Sequence, residues 1–249
     1  MSLKYKRLGS LGARPIPLPL EEIAEYVEMT LVPKVQDDLE RLARTQPDEP
    51  VAGGISVYGG RLSVSKVYGG FGSVTVYVKS QPGADKSYPT KGGGYSRDQE
   101  NIIIFLNGAL SPAEFLRRGG PLRSMRDCAH LSCLPYALYT ILMHELTHAA
   151  DVLQPSVYDA KKVMAWDTES MGVYFNDPNE VRAHMREVVE ETKRMAEVIK
   201  PHVKGRQDLV AKSLKFSQTW KRISPYLTPA NKNRILLAVY DGMAKKGLV

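Results

Sequence analysis

The sequence has few of the features that mark exported or membrane-spanning proteins. No stretch reaches the eighteen or so consecutive apolar residues of a membrane helix, and residues 1–20 lack the apolar core of a signal peptide. Internal repeats and low-complexity tracts are also missing from the sequence. We therefore expect a cytoplasmic or otherwise intracellular protein with no membrane association.

Cysteine is equally scarce, with only Cys128 and Cys133 among 249 residues. His130 lies between them, but a closed structural zinc site needs four ligands and no fourth is evident. A disulfide would imply an oxidising compartment, for which the sequence has no other sign. We expect two reduced thiols beside an apolar helix.

The remaining composition is that of an ordinary globular chain, with 43% hydrophobic and 24% charged residues. Its positive charge is uneven: residues 191–249 contain thirteen basic and four acidic residues, a balance of +9 in a chain whose net charge is +7. This region could bind nucleic acid or an acidic partner, with Phe216, Trp220 and Tyr226 as stacking groups. The simpler interpretation is that the lysines lie on solvated helix faces while the aromatic rings pack inward.

Residues 144–148 read His-Glu-Leu-Thr-His and follow the apolar run Leu134–Met143. Positions four apart lie on one side of a helix, so His144 and His148 can bind one Zn²⁺ while Glu145 faces a water molecule. The surrounding residues are apolar on almost every helical face, which predicts a buried helix over about residues 134–153. Burying an unpaired polar group costs roughly 2–7 kcal/mol, and a metal ion removes that cost for the imidazoles.

A catalytic zinc ion needs a third protein ligand. The best candidate is Glu180, because Asp177 and Pro178 predict a helix that begins at about residue 178 and has Glu180 in its first turn. The alternative is a solvated glutamate that the helix dipole stabilises. Asp151 is a rival ligand, but it lies roughly 10 Å of helical rise from His144, so we expect it to orient a ligand instead.

This combination of motifs resembles the gluzincin branch of the zincin metallopeptidases over about residues 134–190. The resemblance implies that His144, His148 and Glu180 bind zinc and that Glu145 is the general base. It also implies an α+β fold, in which a small mixed or antiparallel sheet lies beside the active-site helix and an edge strand pairs with the substrate. The family often has aspartate four residues after the glutamate ligand, where this chain has His184.

The oxyanion formed during peptide hydrolysis needs a hydrogen-bond donor near the metal. Tyr174, His184 and Arg182 are the candidates around Glu180. Tyr174 is favoured because a phenol donates without adding charge near zinc, and its alternative role is that of a packed tyrosine in a loop.

The rest of the chain is organised around this segment. An apolar stripe predicts a helix over Leu18–Arg44 that Pro33 bends or splits, and Ser111 with Glu114 predicts a capping box. The predicted sheet region, residues 51–108, contains strands Arg61–Tyr68, Ser73–Ser80 and Asn101–Leu106 with a polar loop over Gln81–Gln99. We expect residues 1–190 to form a catalytic core and residues 191–249 a basic helical extension.

Three functions are compatible with these features. The leading one is a zinc metallopeptidase, more plausibly an endopeptidase than an aminopeptidase, that acts on a protein or peptide. The alternative is a catalytically degenerate zincin that binds nucleic acid or protein through its basic C-terminal helices. The third is a zinc-stabilised structural module without turnover.

Overall fold

A computed structural model describes residues 18–63, 73–83, 85–96, 98–119, 131–152 and 168–249. These residues fall into two compact units, an N-terminal unit that ends at Ala149 and a C-terminal unit that begins at Ala150. Among them, no helix combines the length and the apolarity needed to cross a bilayer. The predicted α+β class is confirmed by a four-stranded mixed sheet together with helices in the N-terminal unit.

The N-terminal unit packs its helices against one face of the sheet. Its elements are α1 (Leu20–Tyr26), a π-helical segment (Val27–Leu31), α2 (Val32–Ala43), β1 (Ser56–Ser63), β2 (Ser73–Gln81), β3 (Thr90–Ser96), β4 (Asn101–Asn107), α3 (Pro112–Gly119) and α4 (Leu134–Val152). Alternate residues of β2, namely Val74, Val76 and Val78, are fully buried, as the period of two in a strand requires. They belong to one core with the apolar faces of α1, α2 and α4.

The strands lie in the order β1-β2-β4-β3, with β2 and β4 parallel and the other two pairs antiparallel. The prediction of a loop over Gln81–Gln99 is wrong, because β3 occupies Thr90–Ser96 and pairs with β4. Glycine-rich β3 lacks the alternation of apolar and polar side chains that identifies a strand, and its backbone pairing with β4 determines its conformation. The first strand also begins earlier than predicted, at Ser56, and its predicted end at Tyr68 lies outside the described residues.

The predicted N-terminal helix is present but irregular. Its stripe of apolar side chains is fully buried, from Ile23 to Leu39. The backbone passes through a π-helical segment just before Pro33, which lies in the first turn of α2. Proline has no N–H to donate to the preceding turn, so the regular hydrogen-bond ladder cannot continue through it.

Two local predictions in the N-terminal unit have opposite outcomes. The capping box is confirmed: Glu114 Oε2 accepts from Ser111 N at 2.8 Å, and Ser111 Oγ accepts from Glu114 N at 3.2 Å. The prediction of a reduced thiol is wrong for Cys133, which is disulfide-bonded. Cys128 lies outside the described residues.

The C-terminal unit is helical. Its elements are the last residues of α4, α5 (Thr168–Asn176), α6 (Pro178–Ile199), a 3₁₀ turn (Lys200–His202), α7 (Arg206–Phe216), α8 (Gln218–Ile223) and α9 (Pro229–Lys245). The boundary that we expected after residue 190 lies inside α6, and buried residues on both sides of it share one hydrophobic core. The increase in positive charge after residue 190 therefore does not mark a boundary between two hydrophobic cores.

Candidate metal centre

The two histidines of the motif lie on one side of α4, as their spacing predicts. The side chain of His144 is buried, with 7% of its surface exposed, and that of His148 is half-buried. Their Nε2 atoms are 2.9 Å apart, and the ring planes are nearly perpendicular at 77°. Both nitrogens therefore face the same point beside the helix.

This spacing of the imidazoles suits a shared cation. A tetrahedral Zn²⁺ with Zn–N bonds of about 2.0–2.1 Å places two nitrogens about 3.3 Å apart, so a small rotation of either ring is sufficient. Without a cation, two neutral imidazoles at 2.9 Å must share one N–H, with one Nε2 donating and the other accepting. A metal ion would replace that bond with two nitrogen ligands.

The neighbouring hydroxyls on α4 do not compete for this position. Thr140 Oγ1 donates to the carbonyl oxygen of Tyr136 at 2.9 Å, and Thr147 Oγ1 donates to that of Met143 at 2.8 Å. Asp151 lies in the last turn of the helix, but its side chain is outside the described residues, so its orienting role stays a prediction.

Glu145 lies beneath the edge strand β3. Its side chain is only 5% exposed. A Cβ added at Gly93 would lie 2.6 Å from Ile141 Cγ2 and 3.2 Å from Glu145 Cγ, so this glycine lets the strand approach α4 closely. Sequence reasoning missed this contact, although three consecutive glycines between two strand-forming segments are a signal of close backbone approach.

This close contact predicts a difference between two adjacent glycines. Gly93→Ala should lower the free energy of unfolding by about 1–3 kcal/mol, because the added methyl group overpacks the space against Ile141 and Glu145. Gly94→Ala is the matched control, since nothing lies within 4 Å of a Cβ at that position. Urea unfolding of both variants measures the difference, and equal stabilities would contradict the close packing of β3 on α4.

In the C-terminal unit, Glu180 lies in the first turn of α6 as predicted. The helix begins at Pro178, and the side chain of Asp177 caps it by accepting from Asn179 N at 2.8 Å. Only 15% of the Glu180 side chain is exposed. The alternative of a solvated surface glutamate therefore does not fit its burial.

His184 follows Glu180 by one turn and is buried between two carboxylates. Its Nδ1 is 2.7 Å from Glu187 Oε2, and its Nε2 is 3.7 Å from Glu180 Oε2. The ring of Tyr174 lies against that of His184, with the centroids 6.3 Å apart. The structure thus brings together Glu180, His184 and Tyr174 among the predicted site residues, and adds Glu187, which sequence reasoning did not single out.

Two further expectations for this region can be compared with the structure. Tyr174 lies on the helix α5 rather than in a loop. Arg182 is buried, and its Nη2 donates to Asn179 Oδ1 at 2.5 Å, so this guanidinium is already engaged within the first turn of α6. Arg182 is therefore a weaker candidate for an oxyanion donor than Tyr174 or His184.

Glu191 is a second buried carboxylate on α6. It accepts hydrogen bonds from Ser217 Oγ at 2.6 Å, from Thr219 Oγ1 at 2.7 Å and from Thr219 N at 3.1 Å. Burial raises the pKa of Glu191 above its ordinary value, the hydrogen bonds from Ser217 and Thr219 act in the opposite direction, and the charge of Glu187 adds to the rise. These contacts attach the start of α8 to the middle of α6.

The three aromatic residues of the basic region differ in their exposure to solvent. Trp220 and Tyr226 pack against the core of the C-terminal unit, whereas Phe216 is 51% exposed beside exposed Lys215. The inward packing that we expected is therefore found for two of the three rings. Phe216 alone among them is available for stacking.

Comparisons with known proteins add no relative: no protein-family model, curated protein or solved structure matches the chain. The likeness to gluzincins thus depends on the motif in α4 and on the residues around Glu180.

Proposed function

We propose that the protein is a zinc-dependent metallopeptidase with a zincin-like catalytic arrangement, in which His144 and His148 bind the metal and Glu145 is the general base. The observation that carries this proposal is the convergence of two Nε2 atoms, 2.9 Å apart, next to a buried carboxylate on one helix. Imidazole with carboxylate is a ligand set that suits Zn²⁺.

Glu180 is the proposed third ligand. Two imidazoles from one helix together with a carboxylate from the start of a later helix are the ligand set that the sequence predicts for this chain. Three protein ligands leave a fourth position for water, which distinguishes a catalytic zinc ion from a structural one. When bound, Zn²⁺ supplies Lewis acidity toward the scissile carbonyl and toward water.

The proton transfers of peptide hydrolysis are assigned to Glu145. Its carboxylate accepts a proton from the attacking water as the new C–O bond forms, and then donates that proton to the amine nitrogen as the C–N bond breaks. Its burial suits this task, because a carboxylate shielded from bulk water keeps its proton for the leaving group.

Tyr174 is the proposed hydrogen-bond donor to the oxyanion, and His184 is the alternative donor. They lie together in the C-terminal unit, with their ring centroids 6.3 Å apart. Removal of one such donor typically lowers kcat by about 10²–10³-fold. Asp151 stays the proposed orienting group for a zinc histidine.

The substrate in this proposal is an extended protein or peptide segment that lies along β3. In the described sheet this strand is at an edge, so one side of its backbone is not paired with another described strand. An extended peptide can add to such an edge through main-chain hydrogen bonds. The contact between Gly93 and Glu145 would then bring the peptide backbone close to the general base.

The proposal predicts cleavage that depends on zinc. The purified full-length chain should cleave members of a mixed peptide library, lose that activity on treatment with a chelator and regain it when Zn²⁺ is added back. Analysis of the cleaved peptides by mass spectrometry measures the activity and shows whether cleavage is internal. Stoichiometric zinc without cleavage would instead favour a zinc-stabilised structural module.

A second candidate function is binding of nucleic acid or an acidic protein by the basic C-terminal helices of a degenerate zincin. The specific observation in its favour is exposed Phe216 beside Lys215. Binding of this kind weakens steeply as salt concentration rises, since phosphate contacts release counterions. Failure to bind single-stranded DNA or RNA at low salt would discard the nucleic-acid form of this candidate.

A further inference from the structure

Four ionisable side chains follow one another along one side of α6. Glu180, His184, Glu187 and Glu191 are spaced by four, three and four residues, so successive members are neighbours on the helix surface. The last three are buried, and Glu180 is nearly so. Carboxylates are rarely buried unless they are paired, so this row indicates a connected polar network within the C-terminal unit.

His184 is the centre of that network. Because an ionised carboxylate only accepts hydrogen bonds, the 2.7 Å contact requires Nδ1–H of His184 to donate to Glu187. Two aromatic rings also lie against the imidazole, with the centroid of Phe175 at 5.3 Å and that of Tyr174 at 6.3 Å. Glu187 therefore fixes the rotation of the ring. The ring edge that carries Nε2 lies 3.7 Å from Glu180 Oε2, which is beyond hydrogen-bond distance but close enough to limit where that carboxylate can lie.

Glu187 is itself restrained from α8. Nη2 of Arg222 lies 3.7 Å from Glu187 Oε2, and α8 is attached to α6 at its other end by Glu191, Ser217 and Thr219. The Arg222 side chain is 57% exposed, so its ion pair with Glu187 is weaker than a buried one. A series of contacts thus runs from a surface arginine through Glu187 and His184 to Glu180.

We propose that Glu187 is a positioning residue for the metal centre: it holds His184 against Glu180, and thereby fixes the carboxylate that binds the ion. This inference rests on the proposed function, because it assigns a role to Glu187 through the ligand Glu180. An unrestrained glutamate loses side-chain entropy when it is fixed, and pre-orientation avoids part of that loss on metal binding. Groups that orient ligands in this way typically change metal affinity by about 10–100-fold.

The test is the affinity of the full-length chain for Zn²⁺, measured by competition with a chromophoric chelator. Glu187→Gln keeps the size of the side chain but replaces the charged acceptor of Nδ1–H with a neutral amide, which accepts a weaker hydrogen bond. We expect zinc affinity to fall by about 10–100-fold. Glu190→Gln is the matched control, because Glu190 lies on the same helix and pairs with Lys193 at 2.6 Å. Its zinc affinity should equal that of the wild type.

Two further measurements separate positioning from a loss of folding. The visible absorption spectrum of the Co²⁺-loaded protein should change in Glu187→Gln and not in Glu190→Gln, because it reports the geometry of the ligands. Arg222→Gln alters an exposed side chain, so it leaves the core intact, and it should lower zinc affinity by a smaller factor than Glu187→Gln. If Glu187→Gln does not fold, Arg222→Gln decides the question, and unchanged affinity there overturns the inference.

The failure of this inference is distinguishable from failure of the proposed function. Wild-type protein that binds zinc, together with a folded Glu187→Gln variant of equal affinity and unchanged Co²⁺ spectrum, overturns the positioning role and leaves the zinc centre standing. Wild-type protein that binds no zinc overturns the proposed function, and the positioning role with it.

Discussion

Glu145→Gln is expected to retain zinc and to lose about 10²–10⁴-fold in the rate of peptide hydrolysis, the range that general base catalysis contributes. Glutamine has the shape of glutamate but cannot accept a proton from water at neutral pH. The Glu145 side chain is 5% exposed beneath β3, and glutamine fits the same space, so the fold and the histidine pair should be unaffected. Initial rates on a cleaved peptide, measured at equal zinc content, give the result.

The matched comparison for this variant is Glu145→Asp. Aspartate keeps the carboxylate but withdraws it from the substrate by one methylene, and a misplacement of about 1 Å can cost on the order of 10²-fold. We therefore expect Glu145→Asp to be slower than the wild type and faster than Glu145→Gln. Activity of Glu145→Gln within tenfold of the wild type would remove Glu145 from the mechanism.

His144→Ala and His148→Ala are each expected to lose about 10²–10⁴-fold in zinc affinity and, at working zinc concentrations, all detectable peptidase activity. Three ligands that share roughly 10–16 kcal/mol of zinc binding contribute roughly 3–5 kcal/mol each, and each 1.4 kcal/mol corresponds to about a factor of ten. The Nε2 atoms of the pair are 2.9 Å apart, so removal of either ring leaves the other without its partner at that point. Equilibrium zinc titration of each metal-free variant checks this expectation.

The control for the histidine variants is His202→Ala. His202 is exposed in the 3₁₀ turn Lys200–His202. Its substitution should therefore leave zinc affinity and cleavage unchanged. If His148→Ala binds zinc as tightly as the wild type while remaining active, the metal centre does not lie at this pair.

The helices that contain the proposed zinc ligands could be predicted because local chemistry determines them. The burial of α4 follows from apolar residues on almost all of its faces, and the start of α6 follows from Asp177 as the cap with Pro178 in the first turn. The capping box of Ser111 and Glu114 is of the same kind, since both partners lie within one turn. Each signal involves residues that are at most a few positions apart.

The features that escaped prediction depend on contacts between distant residues. β3 is a strand because its glycine-rich backbone pairs with β4, and no alternation in its own sequence indicates this. Trp220 packs inward as expected, but composition does not indicate that Phe216 is exposed, since both are aromatic residues in basic helices. The disulfide at Cys133 likewise could not be read from a count of two cysteines.

Glu187 shows the same limit within the candidate site. Its spacing of three residues from His184 allows a contact on one helix face, but many such pairs on a helix are solvated. Its importance comes from burial, from the 2.7 Å contact with Nδ1 and from Arg222 on another helix. The packing of α8 on α6 brings Arg222 to Glu187, and no pattern within residues 178–199 indicates that contact.

The position of a zinc ion in crystals of the zinc-loaded protein tests the central proposal most directly. Anomalous scattering recorded on both sides of the zinc absorption edge should give one strong peak per chain, at about 2.0–2.1 Å from Nε2 of both His144 and His148. A peak elsewhere, or fully ordered imidazoles with no peak between them in the presence of excess zinc, would contradict a metal centre at this helix.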